Sequence, residues 1–322
     1  MSTTETWTVG RLLTWTTEYL KTHESTSPRL DAEVLLAHAR ECERIQLYTA
    51  FDEEPAEEQK TAFREMVRRR AEGTPVAYLV GYKEFYSANF EVNPDVLIPR
   101  PETEHLIVEA IDRAKEISPQ PASFVHPEKG EESPDSDESK NPSSEGIEPG
   151  TPNRTLRIAD VGTGSGAIAI TLANHLANCN LVATDVSAQA LEVARRNAAA
   201  HETGDRLQLV ESDLLSDVEG PFELIVSNPP YVSEAEYADL APTVRDYEPK
   251  TALVAEQDGS ELIVRLLDQA ASRLTEDGFV IIEFSPMLAA KIESWLPSGW
   301  QVERITKDFA GLARVVTLTK SS

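Results

Sequence analysis

Four consecutive residues in the second half of the chain, Asn228-Pro229-Pro230-Tyr231, set a row of hydrogen-bond acceptors beside one aromatic face. Neither proline has an N–H, and a residue preceding proline is pushed out of the helical region, so Asn228 and Pro229 are expected to be extended. The Asn228 side-chain oxygen and the Pro229 carbonyl can then both accept from one NH2 group, while the Tyr231 ring offers a planar group a surface to lie on. Such a grip suits a flat sp2 amino group, either an amide or an adenine exocyclic amine. The tetrapeptide follows the apolar run Leu224-Ile225-Val226, whose polar and proline boundaries fit a strand of an enclosed sheet better than a helix. The plainer alternative is a polar turn leaving a strand.

Three further motifs fall at strand ends. Gly162, Thr163, Gly164, Ser165 and Gly166 form a glycine-rich turn between a strand and a helix, where backbone and helix N-terminus can approach a ligand. Asp185 ends the next strand, placed to accept from both hydroxyls of a ribose. A nicotinamide dehydrogenase would show nearly the same pair, because Gly162, Gly164 and Ala167 also satisfy the dinucleotide fingerprint. Asp213, with Leu214, ends the following strand, where its carboxylate suits an adenine amine or equally the cap of a turn. Hydride transfer has no use for an amino-group clamp, so Asn228 to Tyr231 favour a methyltransferase.

The elements that would position these residues are legible from periodicity. Apolar stripes around Val9–Leu20, Leu30–His38 and Pro55–Val67 predict a small helical bundle over residues 1–82. Alternation around Phe85, Phe90 and Val92 predicts a β-hairpin linker at 83–98. Residues 99–322 are expected to form an α/β domain, a Rossmann-like doubly wound sheet closed by a C-terminal antiparallel hairpin. Within it, Pro101 suits a first helical position, and Glu102 and Glu104 complement the dipole of that first turn. Helices are expected over 260–274 and Met287–Trp295, and a strand over Phe279–Phe284. On spacing alone Arg100 reads as a surface residue.

Composition narrows the classes. The net charge of −25 argues against direct nucleic-acid binding, which demands a basic surface. The segment 118–153 holds eight acidic and two basic residues among many Pro and Ser, and is expected to be a disordered acidic insertion. Acidity extends beyond it, and a salt-adapted source is one expectation, checked by activity and stability across salt concentrations. Cys42 and Cys179 lie outside any CxxC spacing, so no metal site or disulfide framework is expected. No apolar run approaches a membrane span and the first residues lack a signal-peptide pattern, so cytoplasmic residence without membrane contact is expected. A monomer is the working expectation, although the sequence carries no sign of oligomeric state.

With IPRPETE, DVGTGSGAIA, ATDVS, ARRN, SNPPY, YEPKTAL and KDFAGLARVV in place, the chain resembles the release factor glutamine methyltransferases, the PrmC/HemK family, over nearly its whole length. The resemblance implies S-adenosyl-L-methionine as cofactor and, as substrate, the glutamine of the GGQ motif in class-one peptide-chain release factors. It implies that Gly162, Thr163, Gly164, Ser165 and Gly166 line the methionine and ribose part of the cofactor, Asp185 the ribose hydroxyls, and Asp213 and Leu214 the adenine. It assigns catalysis to Asn228, Pro229 and Tyr231 and substrate binding to Asn228, Pro229, Pro230 and Tyr231, with Asn228 also near the cofactor. Ribosomal-protein glutamine methyltransferases are the nearest siblings, and Arg100-Pro101-Glu102-Thr103-Glu104 favours the release-factor branch. Two departures stand out. Leu214 replaces a tryptophan found in some members, and the acidic insertion lies outside the family's common core. A nucleic-acid adenine methyltransferase and a non-catalytic cofactor-binding protein are the rivals; a DNA-binding assay addresses the first, and the intact amide clamp argues against the second.

Overall fold

The computed structural model describes residues 6–118, 154–255 and 259–321, so the expected insertion, apart from Ser118, lies outside the described residues. The N-terminal bundle forms as its periodicity requires, with long helices at Val9–Lys21, Pro28–Ala39 and Glu57–Ala71. Thr8 caps the first through its hydroxyl, and Pro28 opens the second, where its missing N–H costs nothing. Val9, Leu13, Leu20, Leu35, Leu36, Phe63 and Val67 close into a core of their own.

A two-stranded hairpin follows, β1 (Tyr82–Phe85) and β2 (Ala88–Glu91), paired antiparallel. It is more than a linker. Phe85 and Phe90 are buried in the same apolar cluster as Leu106, Ile107 and Ile168 of the α/β unit, and Tyr86 N donates to Glu104 at 3.1 Å.

The main sheet has seven strands: β3 (Leu156–Val161), β4 (Cys179–Asp185), β5 (Leu207–Glu211), β6 (Phe222–Ser227), β7 (Leu274–Glu283), β8 (Trp300–Lys307) and β9 (Ala313–Lys320). Their order is β5-β4-β3-β6-β7-β9-β8. The first five strands are parallel, and β9 and β8 close the edge as the expected antiparallel hairpin. β6 is buried at all six positions, which is why its sequence shows a continuous apolar run instead of alternation. One apolar layer covers the face toward helices Glu104–Ile117 and Ala167–His175, and a second covers the face toward helix Glu261–Ala270.

Two expectations change. Residues 287–295 are not one helix: a 3-10 segment, Pro286–Lys291, precedes the single turn Ile292–Trp295. The strand expected from Phe279 begins at Leu274, because Leu274 already pairs with Phe222 across a register shift, and the preceding helix ends at Ala270. Strand order reverses between β3 and β6. In doubly wound sheets that crevice, beyond the strand carboxyl ends, is where ligands sit.

Candidate active site

The turn after β3 leaves the sheet with its first two amides tied to the neighbouring strand. Gly162 N and Thr163 N both donate to Thr184 O, at 2.8 and 2.9 Å. Gly162 and Gly164 have φ of +74° and +55°, a left-handed conformation that side chains resist. A Cβ at either would meet nothing within 4 Å, so these two glycines border open space. Gly166 differs: its Cβ would lie 2.9 Å from Ile170 Cδ1 and 3.2 Å from Ala194 Cβ, so there glycine serves helix packing. Thr163 and Ser165 are buried, and Ser165 O accepts from Asn197 Nδ2 at 2.8 Å.

Asp160 sits beneath this turn, fully buried. Its Oδ2 accepts from Thr163 Oγ1 at 2.6 Å and Ala169 N at 3.1 Å, while Oδ1 has no protein partner. Burial pushes its pKa up to about 7, and the nearby Asp185 charge adds to the rise. Sequence reasoning placed Asp160 in the motif without giving it a role.

Asp185, at the end of β4, takes one backbone N–H on each oxygen, Gly164 N on Oδ2 and Ser187 N on Oδ1, both at 2.9 Å. Burial raises its pKa, and those amides oppose the rise. Each oxygen keeps a second acceptor position, so the carboxylate is oriented by the loop and still able to take a vicinal diol. Asp213 and Leu214 stand beyond β5. The Asp213 carboxylate is exposed and paired with Arg265 at 2.5 Å, and Leu214 holds a φ of +57° while packing against the second apolar layer.

Asn228, Pro229, Pro230 and Tyr231 emerge from β6 directly across the reversal point, and Ser227 Oγ pins that strand end to Val161 O at 2.7 Å. The sheet therefore brings the glycine turn, Asp185 and the Asn228–Tyr231 stretch to one edge. Pro229 is buried; Asn228 and Tyr231 are half-buried. Asn228 Nδ2 donates to Thr103 Oγ1 at 3.1 Å, which leaves Oδ1 as the acceptor end of the amide. Tyr231 Oη donates to Glu283 Oε1 at 3.4 Å.

Three residues of this neighbourhood escaped the sequence reading. Thr103 lies in the short 3-10 turn Pro101–Thr103 and is 4% exposed, too dry for an ordinary surface threonine. Glu283 ends β7 with its carboxyl buried, and burial pushes its pKa up to about 7. Arg100 is no free surface residue: it pairs at 2.5 Å with Glu248, whose side chain is 1% exposed and whose other oxygen accepts from Ile98 N at 3.2 Å. Arg100 and Thr103 carried only the signal of a hydrophilic side chain inside a motif, and Glu283 that of a charge at the end of an apolar strand.

Among the described residues no group of three or more His, Cys, Asp or Glu is arranged to hold a metal ion, and no helix is long and apolar enough to cross a membrane.

Comparison with known proteins places this arrangement. A family model described as the PrmC N-terminal domain matches residues 11–81, and the methyltransferase small domain matches residues 149–244. The chain is 45% identical to the release factor glutamine methyltransferase of Rhodopirellula baltica, covering 98% of this chain and 97% of that one. It is 39% identical to that of Chlorobaculum tepidum over 96% of each chain. Among solved structures, the hMettl16 catalytic domain in complex with the MAT2A 3'UTR hairpin 6 matches with a TM-score of 0.50 at 14% identity, covering 80% of this chain and 83% of that one, a likeness of fold alone. The helical bundle, the methyltransferase sheet and a similarity to these enzymes that runs nearly end to end lead to one conclusion: the chain belongs to the release factor glutamine methyltransferase family.

Proposed function

We propose that this enzyme methylates the side-chain amide nitrogen of the glutamine in the GGQ motif of class-one peptide-chain release factors, using S-adenosyl-L-methionine. The observation that carries this reading is the Asn228 amide, held by Thr103 so that its oxygen is the acceptor at the mouth of the crevice. The relatives at 45% and 39% identity are named release factor glutamine methyltransferases, which supports release-factor glutamine as the target.

The residues present fit the cofactor. Gly162 and Gly164 border open space that any side chain would fill, and Asp185 is oriented with acceptor capacity to spare. Gly162 through Gly166 would face the methionine and ribose, Asp185 the ribose hydroxyls, and Asp213 with Leu214 the adenine. Leu214 gives that ring an aliphatic contact in place of aromatic stacking. The bound cofactor supplies an electrophilic methyl group on a sulfonium.

Everything else falls to the protein. An amide nitrogen is a poor nucleophile because its lone pair is delocalised. Asn228 Oδ1 and the Pro229 carbonyl accept from the NH2, drawing electron density onto nitrogen and fixing its direction of attack. The same oxygens stabilise the positive charge that develops there. No strong base is needed at bond formation, since a cationic nitrogen loses its proton readily. Pro229 and Pro230 present no competing N–H, and the Tyr231 ring supports the planar amide.

In this reading residues 1–82 recognise the substrate, 83–98 join the two units and 99–322 carry the chemistry. The enzyme acts as a cytoplasmic monomer in translation termination. The test incubates the purified protein with labelled S-adenosylmethionine and a class-one release factor, then locates the label by peptide mass spectrometry. Label on the GGQ glutamine is expected; label on a ribosomal protein or a nucleic acid instead overturns the substrate.

A further inference from the structure

The KDFAGLARVV segment has no part in the chemistry above, yet it holds a phenylalanine in open water beside the clamp. Phe309 is 102% exposed, more than any other large apolar side chain among the described residues. A single exposed apolar side chain is ordinary on a protein surface. Here, however, the turn that carries it is pinned. Asp308 Oδ1 accepts from Ala310 N and Leu312 N, both at 2.9 Å, and Oδ2 accepts from Arg314 Nε at 2.8 Å. Asp308 N in turn donates to Leu312 O at 2.8 Å.

Strand pairing puts this turn on the same sheet edge as the clamp. Ser227, the residue before Asn228, lies opposite Ile282 of β7, and on the other side of β7 Glu283 lies opposite Val315 of β9. Phe284 N donates to Arg314 O at 2.9 Å, so residues 308–312, which precede β9, rise beyond the carboxyl ends of the parallel strands. The Phe309 ring lies 5.3 Å from the His105 ring. His105 stands two residues after Thr103, whose hydroxyl accepts from Asn228. Phe309 therefore borders the clamp on the side of helix Glu104–Ile117.

Building on the amide-methylation reading, we propose that Phe309 is a specificity-determining residue that receives the substrate backbone beside the target glutamine and selects for glycine there. The clamp takes only the amide head. An extended glutamine side chain sets its nitrogen roughly 5 Å from its own Cα, so the backbone that carries it comes to rest at the rim of the crevice. Glycine has no Cβ, which leaves the adjoining peptide planes bare for an aromatic face to lie on. The ring then buries apolar surface and meets a backbone N–H with its π face. An alanine methyl at that place would hold the ring away. The GGQ motif of the proposed substrate supplies two glycines immediately before its glutamine.

The test compares wild type, Phe309→Ala and Phe309→Tyr on a class-one release factor and on the same factor with the glycine before the target glutamine changed to alanine. Phe309→Ala is expected to raise KM about tenfold, with kcat and S-adenosylhomocysteine affinity within about threefold, and Phe309→Tyr to restore most of the loss. Wild type should prefer the glycine factor in kcat/KM, and Phe309→Ala should shrink that preference at least about threefold. A Phe309→Ala enzyme with wild-type KM overturns the proposal. So does a raised KM with the glycine preference intact, since the ring then touches another part of the partner. A wild-type dimer in sedimentation that Phe309→Ala dissolves also overturns it, because a second copy of the chain then covers the ring. Melting of Phe309→Ala is expected to match wild type; should it fall, Phe309→Gln decides in its place. Methylation of a different protein by the wild-type enzyme overturns the substrate reading alone. The same KM ratio and glycine-to-alanine comparison on that protein then decide the role of Phe309, and a target with no glycine beside the methylated residue overturns it.

Discussion

Asn228 and Thr103 stand 125 positions apart in the chain and are joined by a hydrogen bond of 3.1 Å from the asparagine amide to the threonine hydroxyl. That bond couples the two motifs of the site. The turn Pro101–Thr103 opens helix Glu104–Ile117, whose buried face is shared with β3 and β6, so the packing of that helix sets where the Thr103 hydroxyl meets the clamp.

The clamp and the cofactor loop are separable by mutation. Asn228→Ala removes the acceptor proposed for the reacting nitrogen and is expected to lower kcat by about a hundredfold or more, with cofactor affinity changed by a few fold at most. Asp185→Ala removes the oriented acceptors proposed for the ribose and is expected to weaken cofactor binding by about tenfold or more. Calorimetry with S-adenosylhomocysteine together with steady-state turnover reads both. An Asn228→Ala enzyme with wild-type kcat would refute the clamp.

Gly166 and Gly162 should fail differently. At Gly166 an added methyl meets Ile170 and Ala194 and also carries a φ of +81°, so Gly166→Ala is expected to cost about 1–3 kcal/mol of stability. At Gly162 the methyl enters open space, so Gly162→Ala should mainly weaken cofactor binding, with a smaller loss of stability from its own positive φ. Denaturant unfolding beside cofactor titration separates the two, and equal stability losses with equal binding would contradict the assignment.

Arg100 holds the buried carboxylate of Glu248. Arg100→Ala leaves that charge with the single amide of Ile98, and a loss of about 1–3 kcal/mol is expected after allowing for the partial exposure of Arg100. Arg100→Ala together with Glu248→Gln should recover part of it. A double variant no more stable than the single one would argue against an uncompensated charge as the cause.

Asp160 predicts a pH dependence of stability. Its carboxyl is raised in the folded protein from an ordinary value near 3.8 to about 7, so between those values the native state holds a proton that the unfolded chain has released. Its contribution to stability is full below about pH 4 and is lost as pH rises through 7. Asp160→Asn should remove that part of the slope when melting temperature is followed from pH 4 to 8. Parallel profiles for the two proteins would count against it.

The placement of much of the candidate site at strand ends was readable in order along the chain. Asn228 to Tyr231, the glycine turn and Asp185 are consecutive or strand-end features, because prolines, positive φ and a buried parallel strand each leave a local mark on residue type. The doubly wound sheet was legible for the same reason: parallel strands buried on both faces show as unbroken apolar runs, such as Leu224-Ile225-Val226. What tertiary structure alone decided concerns polar side chains whose partners lie far away. Arg100 looked like a surface residue until Glu248, 148 positions on, was placed against it. Thr103 and Glu283 looked like parts of a helix start and a strand end. Hydrophobic burial is written into local periodicity, because water acts on every residue alike. Which hydroxyl meets which amide, as Thr103 meets Asn228, or which carboxyl, as Tyr231 meets Glu283, is set only when helix Glu104–Ile117 and strands β6 and β7 pack together, and no local pattern encodes that.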